Sequence, residues 1–490
     1  MTDLLNSRAL RWSVFALALV LFASTNLPWH LDDYDQAKQA FTSFEMVERG
    51  NWFYQHTPNW WVATKPPLVG WISAGFFAAT RSWDLAWRLP SFLAALALLT
   101  LLMRAASVYG RVPALVAACA FCFNLFVPRL ASLVRTDMPL ALVLFAIGWL
   151  ILEKIRAREA WTKRDRLLLF FLLSAGMLIK GPIIYAFLLP GIVAFQWRRK
   201  KIDAAASAWS GWLPWLVSFL VFLLWVAGGI LFVPEFTEHV VAREFIGRFS
   251  EDMHRPQPFY FYLPHILHRF APWSLLLILL PFIATKKDRL GIRASLRALS
   301  PETFWLLAWS LGGLLVMSCV PSKRIDRIFP IVPPLCLLLA AAVSEFRKQD
   351  RLKIITDRLC LAAIILACLM TTGYCAGKII AARREHRDAF AVFGRDVVKT
   401  TAAHGWRYSL VGGEDEGMAL YVRRTEFIEP DQAASEWNAG KVDALVVPDD
   451  EIAELIPRLQ GGEPKRRLTS KQAGRYKKHY FLLVRPSSPQ

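Results

Sequence analysis

The stretch "SLVRTDMPLALVLFAIGWL" (132–150) places an arginine and an aspartate directly before a run of apolar residues. A helix of about 20 apolar residues crosses the hydrocarbon core of a bilayer, and the run beginning at Met138 approaches that length. Ionisable groups at membrane depth cost roughly 2.5–3.5 kcal/mol on insertion scales, so they indicate function by default. The stretch therefore predicts a membrane helix with charged chemistry at one end.

Similar apolar runs recur along the 490-residue chain, of which 55% is hydrophobic. We predict about eleven transmembrane helices, because the longer runs are typical of spans and the shorter ones fit tilted, broken or protein-surrounded helices. The runs are 12–29, 89–103, 113–127, 138–152, 167–179, 182–197, 211–233, 264–284, 303–320, 329–343 and 359–377. The first is predicted to remain in the protein, because no small-residue cleavage site follows it.

The net charge of +19 is explained by basic loops between these runs, so no nucleic-acid partner is expected. Short basic loops stay on the cytoplasmic side of a membrane, and "EKIRAREAWTKRDR" (153–166) and "RRKK" (198–201) are two of them. With eleven spans the basic loops alternate correctly. The pattern predicts a multi-pass protein of the inner membrane, with a cytoplasmic N-terminus and an extracytoplasmic C-terminal region.

The predicted spans divide the chain into a transmembrane domain, 1–380, and a soluble extracytoplasmic domain, 381–490. The transmembrane domain includes two long outer loops, 30–88 and 234–263. The tail is more charged and less aromatic, and its alternating elements predict a small α/β fold. We expect strands at 407–413, 443–449 and 480–486 and helices at 383–405 and 449–460.

The segments predicted to lie outside carry several basic residues, against the usual bias of positive charge toward the cytoplasm. A bound anion would explain this excess. The charged residues that we select in these segments are Asp35, Lys65, Asp137, Lys180, Arg248, Lys323, Arg324 and Arg327.

Structural interpretations remain open for two of these residues. Asp35 begins an amphipathic stretch, 35–50, in which it would cap a helix lying in the membrane interface. Lys65 stands in "WWVATKPPLVGW" (60–71), whose aromatic residues suit the headgroup zone. The paired prolines hold this lysine more tightly than a lysine that merely reaches the interface, so anion binding is the functional alternative.

The other candidates have structural alternatives as well. An ion pair with Arg135 would explain Asp137, and a solvated run of charges would explain Arg248. Lys180 stands between two apolar helices, so it must face an aqueous cavity or a bound anion. These alternatives stay open on the sequence alone.

A series of motifs follows in a fixed order over residues 10–345. They are Asp35 with "GNW" (50–52), "KPPLVGW" (65–71), "WRLPSFLAAL" (87–96), "RTDMPL" (135–140), "LIKGP" (178–182), "EFIGRF…QPFYFYLPHILHRFAPWSL" (244–275) and "PSKRIDRIFPIVPPLCLLLA" (321–340). In order and sidedness they resemble the C-type (GT-C) membrane glycosyltransferases, in the branch that contains protein O-mannosyltransferases and bacterial lipid A aminoarabinose transferases.

The resemblance implies the α-helical GT-C fold and transfer of a sugar from a polyprenyl-phosphate donor. It assigns catalytic roles to two acids: Asp35 matches the catalytic carboxylate of the first loop, and Asp137 matches the second acidic site. Lys65 matches a lysine that contacts donor or acceptor. Lys180 and Arg248 match basic residues near the lipid phosphate.

Lys323 and Arg327 are further candidate cations for the leaving phosphate. Two positions depart from the family pattern: Gln36 replaces a glutamate, and Arg327 replaces a tyrosine. The first departure argues against a metal or a carboxylate pair at that position. The second departure indicates a different mode of phosphate binding, or a more acidic sugar or acceptor. We assign no metal ligand and no cofactor, and the need for a divalent metal stays open.

The predicted activity is inverting glycosyl transfer to an acceptor in the cell envelope, which is lipid A, another glycan or a protein. The alternative is a transporter or flippase of lipid-linked sugars, because carriers also hold charges inside the membrane. Many transporters contain internal repeats, and the two halves of this chain show none.

Overall fold

The computed structural model describes residues 5, 7–31, 34–202, 207–246, 256–284, 299–412, 416–472 and 479–486. One residue considered above, Arg248, lies outside the described residues. The remaining candidates all fall within them.

Helices make up most of the described chain, and one small sheet lies near its C-terminal end. The helices are α1 (Arg8–Ser24), α2 (Tyr34–Arg49), α3 (Leu68–Thr80), α4 (Trp83–Ala86), α5 (Leu89–Ala106), α6 (Arg111–Cys122), α7 (Val127–Ala131), α8 (Asp137–Ala157), α9 (Lys163–Lys180), α10 (Ile183–Ile202), α11 (Leu213–Phe232), α12 (Tyr262–Arg269), α13 (Trp273–Ala284), α14 (Pro301–Cys319), α15 (Val332–Arg347), α16 (Asp350–Arg384), α17 (Ala389–His404), α18 (Glu416–Tyr421), α19 (Pro430–Asn438) and α20 (Asp449–Leu455). The strands are β1 (His56–Thr57), β2 (Trp61–Val62), β3 (Tyr408–Leu410), β4 (Ala444–Pro448), β5 (Lys465–Thr469) and β6 (Tyr480–Val484).

The described residues include six helical segments long and apolar enough to cross a membrane. A seventh arises if the bent pair Phe259–Arg269 and Trp273–Leu280 is one span. Each of the eleven predicted apolar runs overlaps a helix of the described chain. The chain is therefore a multi-pass helical membrane protein as predicted, while the number eleven stays a prediction.

Small residues let two membrane helices pack closely. A Cβ added at Gly191 of α10 would lie 2.8 Å from Cα of Trp309 in α14. A Cβ at Gly312 of α14 would lie 3.0 Å from the backbone nitrogen of Gly191. The first distance is shorter than real Cβ contacts and the second is unusually tight, so the close approach of the two helices favours glycine, as is common between membrane helices.

The chain divides into two compact units. Unit A contains Met1–Thr25, Thr64–Val69 and Arg88–Cys375, and unit B contains Asn26–Ala63, Gly70–Trp87 and Ala376–Gln490. Most of the first long loop, 30–88, therefore belongs to the same unit as the C-terminal tail. The division predicted at residue 380 did not include this grouping.

The sheet of unit B has the order β3-β4-β6-β5. Strands β3 and β4 are parallel, whereas β6 is antiparallel to both β4 and β5. The hydrophobic core packed against this sheet includes the buried side chains of Trp437, Leu445 and Leu483. The three strands expected in the tail are confirmed, and the mixed sheet with its covering helices is the predicted small α/β fold.

The amphipathic helix expected at 35–50 is confirmed as α2. Its apolar residues Phe41 and Phe44 are fully buried, and α2 packs against α18 of the tail. Arg49 at its end donates a hydrogen bond of 2.9 Å to Thr425 Oγ1 and stands 4.2 Å from the ring of Trp60. The apolar face of α2 therefore packs against protein, where the sequence suggested a helix lying in the membrane interface.

Asn59 ties the first long loop to the tail. Its side chain donates a hydrogen bond of 3.2 Å to the Phe427 carbonyl and accepts one of 3.1 Å from the Phe427 N–H. Asn59 has a φ of 59°, a left-handed conformation that asparagine tolerates better than most residues. We expect Asn59→Ala to lower the free energy of unfolding by about 1–3 kcal/mol, because both hydrogen bonds are lost.

Limited proteolysis in detergent, followed by mapping of the cleavage sites, measures this effect. The matched control is Asn438→Ala, because Asn438 makes a similar reciprocal pair of bonds to Arg458 and Gln460 within the tail. The Asn59 variant should be cleaved faster within the first long loop. Equal cleavage of that loop in both variants would contradict the assigned role of Asn59.

Candidate active site

An ion pair joins the ends of two neighbouring helices in unit A. Asp137 is the first residue of α8 and Lys180 is the last residue of α9, where Gly181 with a φ of 74° ends the helix. The distance from Lys180 Nζ to Asp137 Oδ1 is 2.6 Å, and the side chains are only 13% and 8% exposed. A carboxylate at a helix start and a cation at a helix end both suit the helix dipole.

Further cations surround the same carboxylate. Lys65 and Arg135 both act electrostatically on Asp137, in addition to Lys180. We call Asp137 with Lys65, Arg135 and Lys180 the cation cluster. With three positive charges and one negative charge, the cluster has an excess of two positive charges, which suits an anion with charged oxygen atoms.

A second buried acid organises two arginines next to this cluster. Asp326 accepts a hydrogen bond of 2.6 Å from Arg129 Nη1 and one of 3.0 Å from Arg135 Nη1. Arg135 therefore links Asp326 to the surroundings of Asp137. The sequence reasoning did not select Asp326, although its signal matches that of Asp137, namely an acid placed immediately before an apolar helix.

Lys323 and Arg327 are held by backbone carbonyls of unit A. Lys323 Nζ donates a hydrogen bond of 2.8 Å to the Gln257 carbonyl, and burial lowers the pKa of Lys323, which lies between two spans. Arg327 Nη1 donates to the Ser322 carbonyl at 2.7 Å. Both residues are close to Asp326 in sequence, and each donates a hydrogen bond to a backbone carbonyl.

Asp35 belongs to unit B, where it lies half-buried in the first turn of α2. Gln36 and Gln39 beside it are buried. The same helix carries Glu45, a buried acid that the sequence reasoning missed, which accepts a hydrogen bond of 3.3 Å from the His56 N–H. Its position in the middle of an amphipathic helix gave no signal that it would be buried.

The remaining predicted site residue, Arg248, lies in the part of the chain that the structure does not describe. Within the described ranges, no group of three or more His, Cys, Asp and Glu side chains is placed to hold a metal ion.

Comparisons with known proteins agree on one family. The family model of dolichyl-phosphate-mannose-protein mannosyltransferases matches residues 64–225, which include the whole cation cluster. An undecaprenyl phosphate-alpha-4-amino-4-deoxy-L-arabinose arabinosyl transferase of Yersinia enterocolitica is 26% identical over 413 residues, 80% of this chain and 69% of that protein. The second enzyme of the same name from Proteus mirabilis is 26% identical over 361 residues, 71% of this chain and 63% of that protein.

The crystal structure of ArnT from Cupriavidus metallidurans bound to undecaprenyl phosphate has the same fold. It superposes with a TM-score of 0.73 at 16% identity and covers 99% of this chain and 100% of that chain. The chain is similar in sequence to these transferases and has the fold of the C-type membrane glycosyltransferases. The predicted GT-C fold is confirmed, and this chain spans about two thirds of the length of the curated C-type relatives it matches.

Asp326, the acid that bridges Arg129 and Arg135, provides a test of the site. We expect Asp326→Asn to lower the free energy of unfolding by about 3–5 kcal/mol, because two partly buried arginines lose their charged partner. Thermal unfolding in detergent measures the change. Transfer activity per folded molecule should also fall about tenfold, which corresponds to about 1.4 kcal/mol, because Arg135 is no longer held beside Asp137.

The matched control is Asp357→Asn, because Asp357 is also buried in unit A and is bonded to Arg347 at 2.7 Å. This variant should lose stability and keep its activity per folded molecule. If both variants lose the same share of activity, Asp326 has only a structural role.

Proposed function

We propose that the chain is an inverting glycosyltransferase that moves a sugar from a polyprenyl-phosphate donor to an acceptor in the cell envelope, which is lipid A, another glycan or a protein. The observation that carries this proposal is the cation cluster, in which Lys180 at the end of α9 lies 2.6 Å from Asp137 at the start of α8. The names of the two relatives favour 4-amino-4-deoxy-L-arabinose as the first sugar to test.

The cation cluster supplies what the leaving group needs. When the bond between the sugar C1 and the phosphate oxygen breaks, the phosphate gains negative charge. Lys180 and Lys65 are our choices to stabilise that charge, since fixed cations in a water-poor site act strongly on developing charge. Asp137 keeps Lys180 in position and is placed to bind hydroxyls of the sugar or the acceptor.

Asp35 is our choice for the base. An acceptor hydroxyl is a weak nucleophile, and its oxygen attacks C1 from the face opposite the phosphate while its proton passes to the Asp35 carboxylate. General base catalysis of this kind contributes about 10²–10⁴-fold to a rate. An acceptor that is itself a phosphate has no proton to lose, and Asp35 then acts through position and charge. Attack on the opposite face inverts the anomeric centre.

The orientation of the protein follows from its basic loops. We infer that the N-terminus and the basic loops 153–166 and 198–201 are cytoplasmic, since short basic loops stay on that side. The cation cluster and the C-terminal tail are then extracytoplasmic. Sugars carried on polyprenyl phosphate are the donors suited to that side of the membrane, because the lipid tail stays in the bilayer and the phosphate stays at its surface.

The test uses the full-length protein in detergent with a radiolabelled polyprenyl-phosphate sugar. Lipid A, a glycan and a peptide rich in serine and threonine are offered in separate reactions, and mass spectrometry identifies the product. The Asp357→Asn variant serves as the active control. Label on one acceptor supports the proposal and identifies the acceptor class. Transbilayer movement of the labelled lipid in vesicles without any product would instead support the flippase alternative.

A further inference from the structure

Unit A contains a cavity of about 680 Å³ whose lining has a basic end and an apolar remainder. It is formed by the beginning of α1, the end of α5 with the residues that follow it, and α6. The lining residues that matter are Arg8, Arg11, Arg111, Leu99, Leu115 and Cys122. The volume lies within the range of about 300–1,000 Å³ that is usual for small-molecule sites.

Three arginines lie at one end of this cavity, and no carboxylate of the described residues forms an ion pair with them. Arg8 and Arg111 are exposed and Arg11 is half-buried. The acid that contacts the neighbouring Tyr109, Glu302, is already paired with Arg156 at 3.0 Å. The guanidinium groups therefore form a site for negative charge, and the start of α6 at Arg111 adds the positive end of a helix dipole.

The lining of the cavity along α6, including its basic end, is about as long as one leaflet is deep. Along α6 the lining extends from Arg111 to Cys122, which is about 16 Å at the helical rise of about 1.5 Å per residue. Half of a hydrocarbon core about 30 Å thick has nearly the same depth. Trp12 beside the arginines is 71% exposed, as suits an aromatic residue at the membrane interface.

The basic end of the cavity lies far from the cation cluster. Tyr109, which stands between the lining residues Ser107 and Arg111, accepts a hydrogen bond from Arg156 in the last turn of α8, whereas Asp137 is the first residue of α8. A helix of 21 residues is about 30 Å long, so the two sites belong to opposite leaflets.

We propose that this cavity binds an anionic glycerophospholipid, with its phosphate on Arg8, Arg11 and Arg111 and one acyl chain beside Leu99 and Leu115. The length of the lining along α6 matches the depth of one leaflet, which favours an acyl chain over the much longer chain of a polyprenyl phosphate. The inference is independent of the proposed catalytic function, since no residue of the cation cluster takes part.

The test measures binding of phosphatidylglycerol and of phosphatidylcholine with the same acyl chains by native mass spectrometry of the full-length protein. We expect the triple variant Arg8→Gln, Arg11→Gln and Arg111→Gln to lower the affinity for phosphatidylglycerol about a hundredfold, which is about fivefold for each arginine. Its affinity for phosphatidylcholine should hardly change. The control variant Lys163→Gln, Arg164→Gln and Arg166→Gln removes the same charge from the first turn of α9 and should bind like the wild type.

A second variant tests the acyl chain without changing any charge. Ala114 lines the cavity, and Ala114→Phe should weaken phosphatidylglycerol binding at least tenfold while the protein keeps its thermal stability. An equal loss in the Lys163, Arg164 and Arg166 control would overturn the proposal, because binding would then reflect surface charge. Equal affinity for the two lipids, or displacement of phosphatidylglycerol by inorganic phosphate or by an equimolar polyprenyl phosphate, would overturn it as well.

Discussion

Asp35→Asn is expected to lower the turnover number for a hydroxyl acceptor by about 10²–10⁴-fold, because the amide cannot accept the proton of the attacking oxygen. The shape of the side chain is kept, so the affinity for the donor should change little. Steady-state kinetics in detergent give turnover number and KM separately.

The matched control for Asp35 is Asp431→Asn. Asp431 is also in the first turn of a helix of unit B, α19, so both variants lose a similar interaction with a helix dipole. A structural cap at Asp35 would make the two variants behave alike, with full activity and a small loss of stability. With a phosphate acceptor the effect of Asp35→Asn should shrink, and this difference would identify the acceptor chemistry.

Breaking the Asp137–Lys180 pair is expected to have the second large effect. Either Asp137→Asn or Lys180→Met removes one partner of a buried ion pair, which costs about 3–5 kcal/mol of stability. The double variant leaves neither charge unpaired, so its thermal stability should recover most of this loss. Activity per folded molecule should fall about 10²–10³-fold in all three variants, because the charge that stabilises the leaving phosphate is removed or displaced.

The double variant separates a structural from a catalytic role. If it recovers activity together with stability, the pair only holds α8 and α9 together and the proposed phosphate site is wrong. The control is the pair Arg347–Asp357, which is also largely buried. The corresponding variants there should change stability in the same way and leave activity per folded molecule unchanged.

The sequence was sufficient to select Asp137 and Lys180, because a charge at the end of an apolar run is costly unless it has a use. It was not sufficient to pair them. They are 43 residues apart, and their contact depends on which ends of α8 and α9 lie together. Asp326 and Arg129 are 197 residues apart, so the same difficulty is larger there.

The fold could be predicted where a local pattern decides it. Apolar runs gave the membrane helices, and the apolar stretches of the tail gave β3, β4 and β6. Strand β5, "KRRLT", was missed because four of its five residues are exposed and its strand character comes from pairing with β6. The grouping of the first long loop with the tail was missed for a related reason, since the bonds that join them connect distant segments.

The bonds between Asn59 and Phe427 have a consequence for how the protein is made. The two residues are 368 positions apart, so at about 5–20 residues per second the ribosome needs about 20–70 s to produce the second after the first. During that interval the early segment has no docking partner. The early segment therefore reaches its folded state only after Phe427 has been synthesised. A chain that terminates before Phe427 would expose an undocked segment to proteolytic quality control.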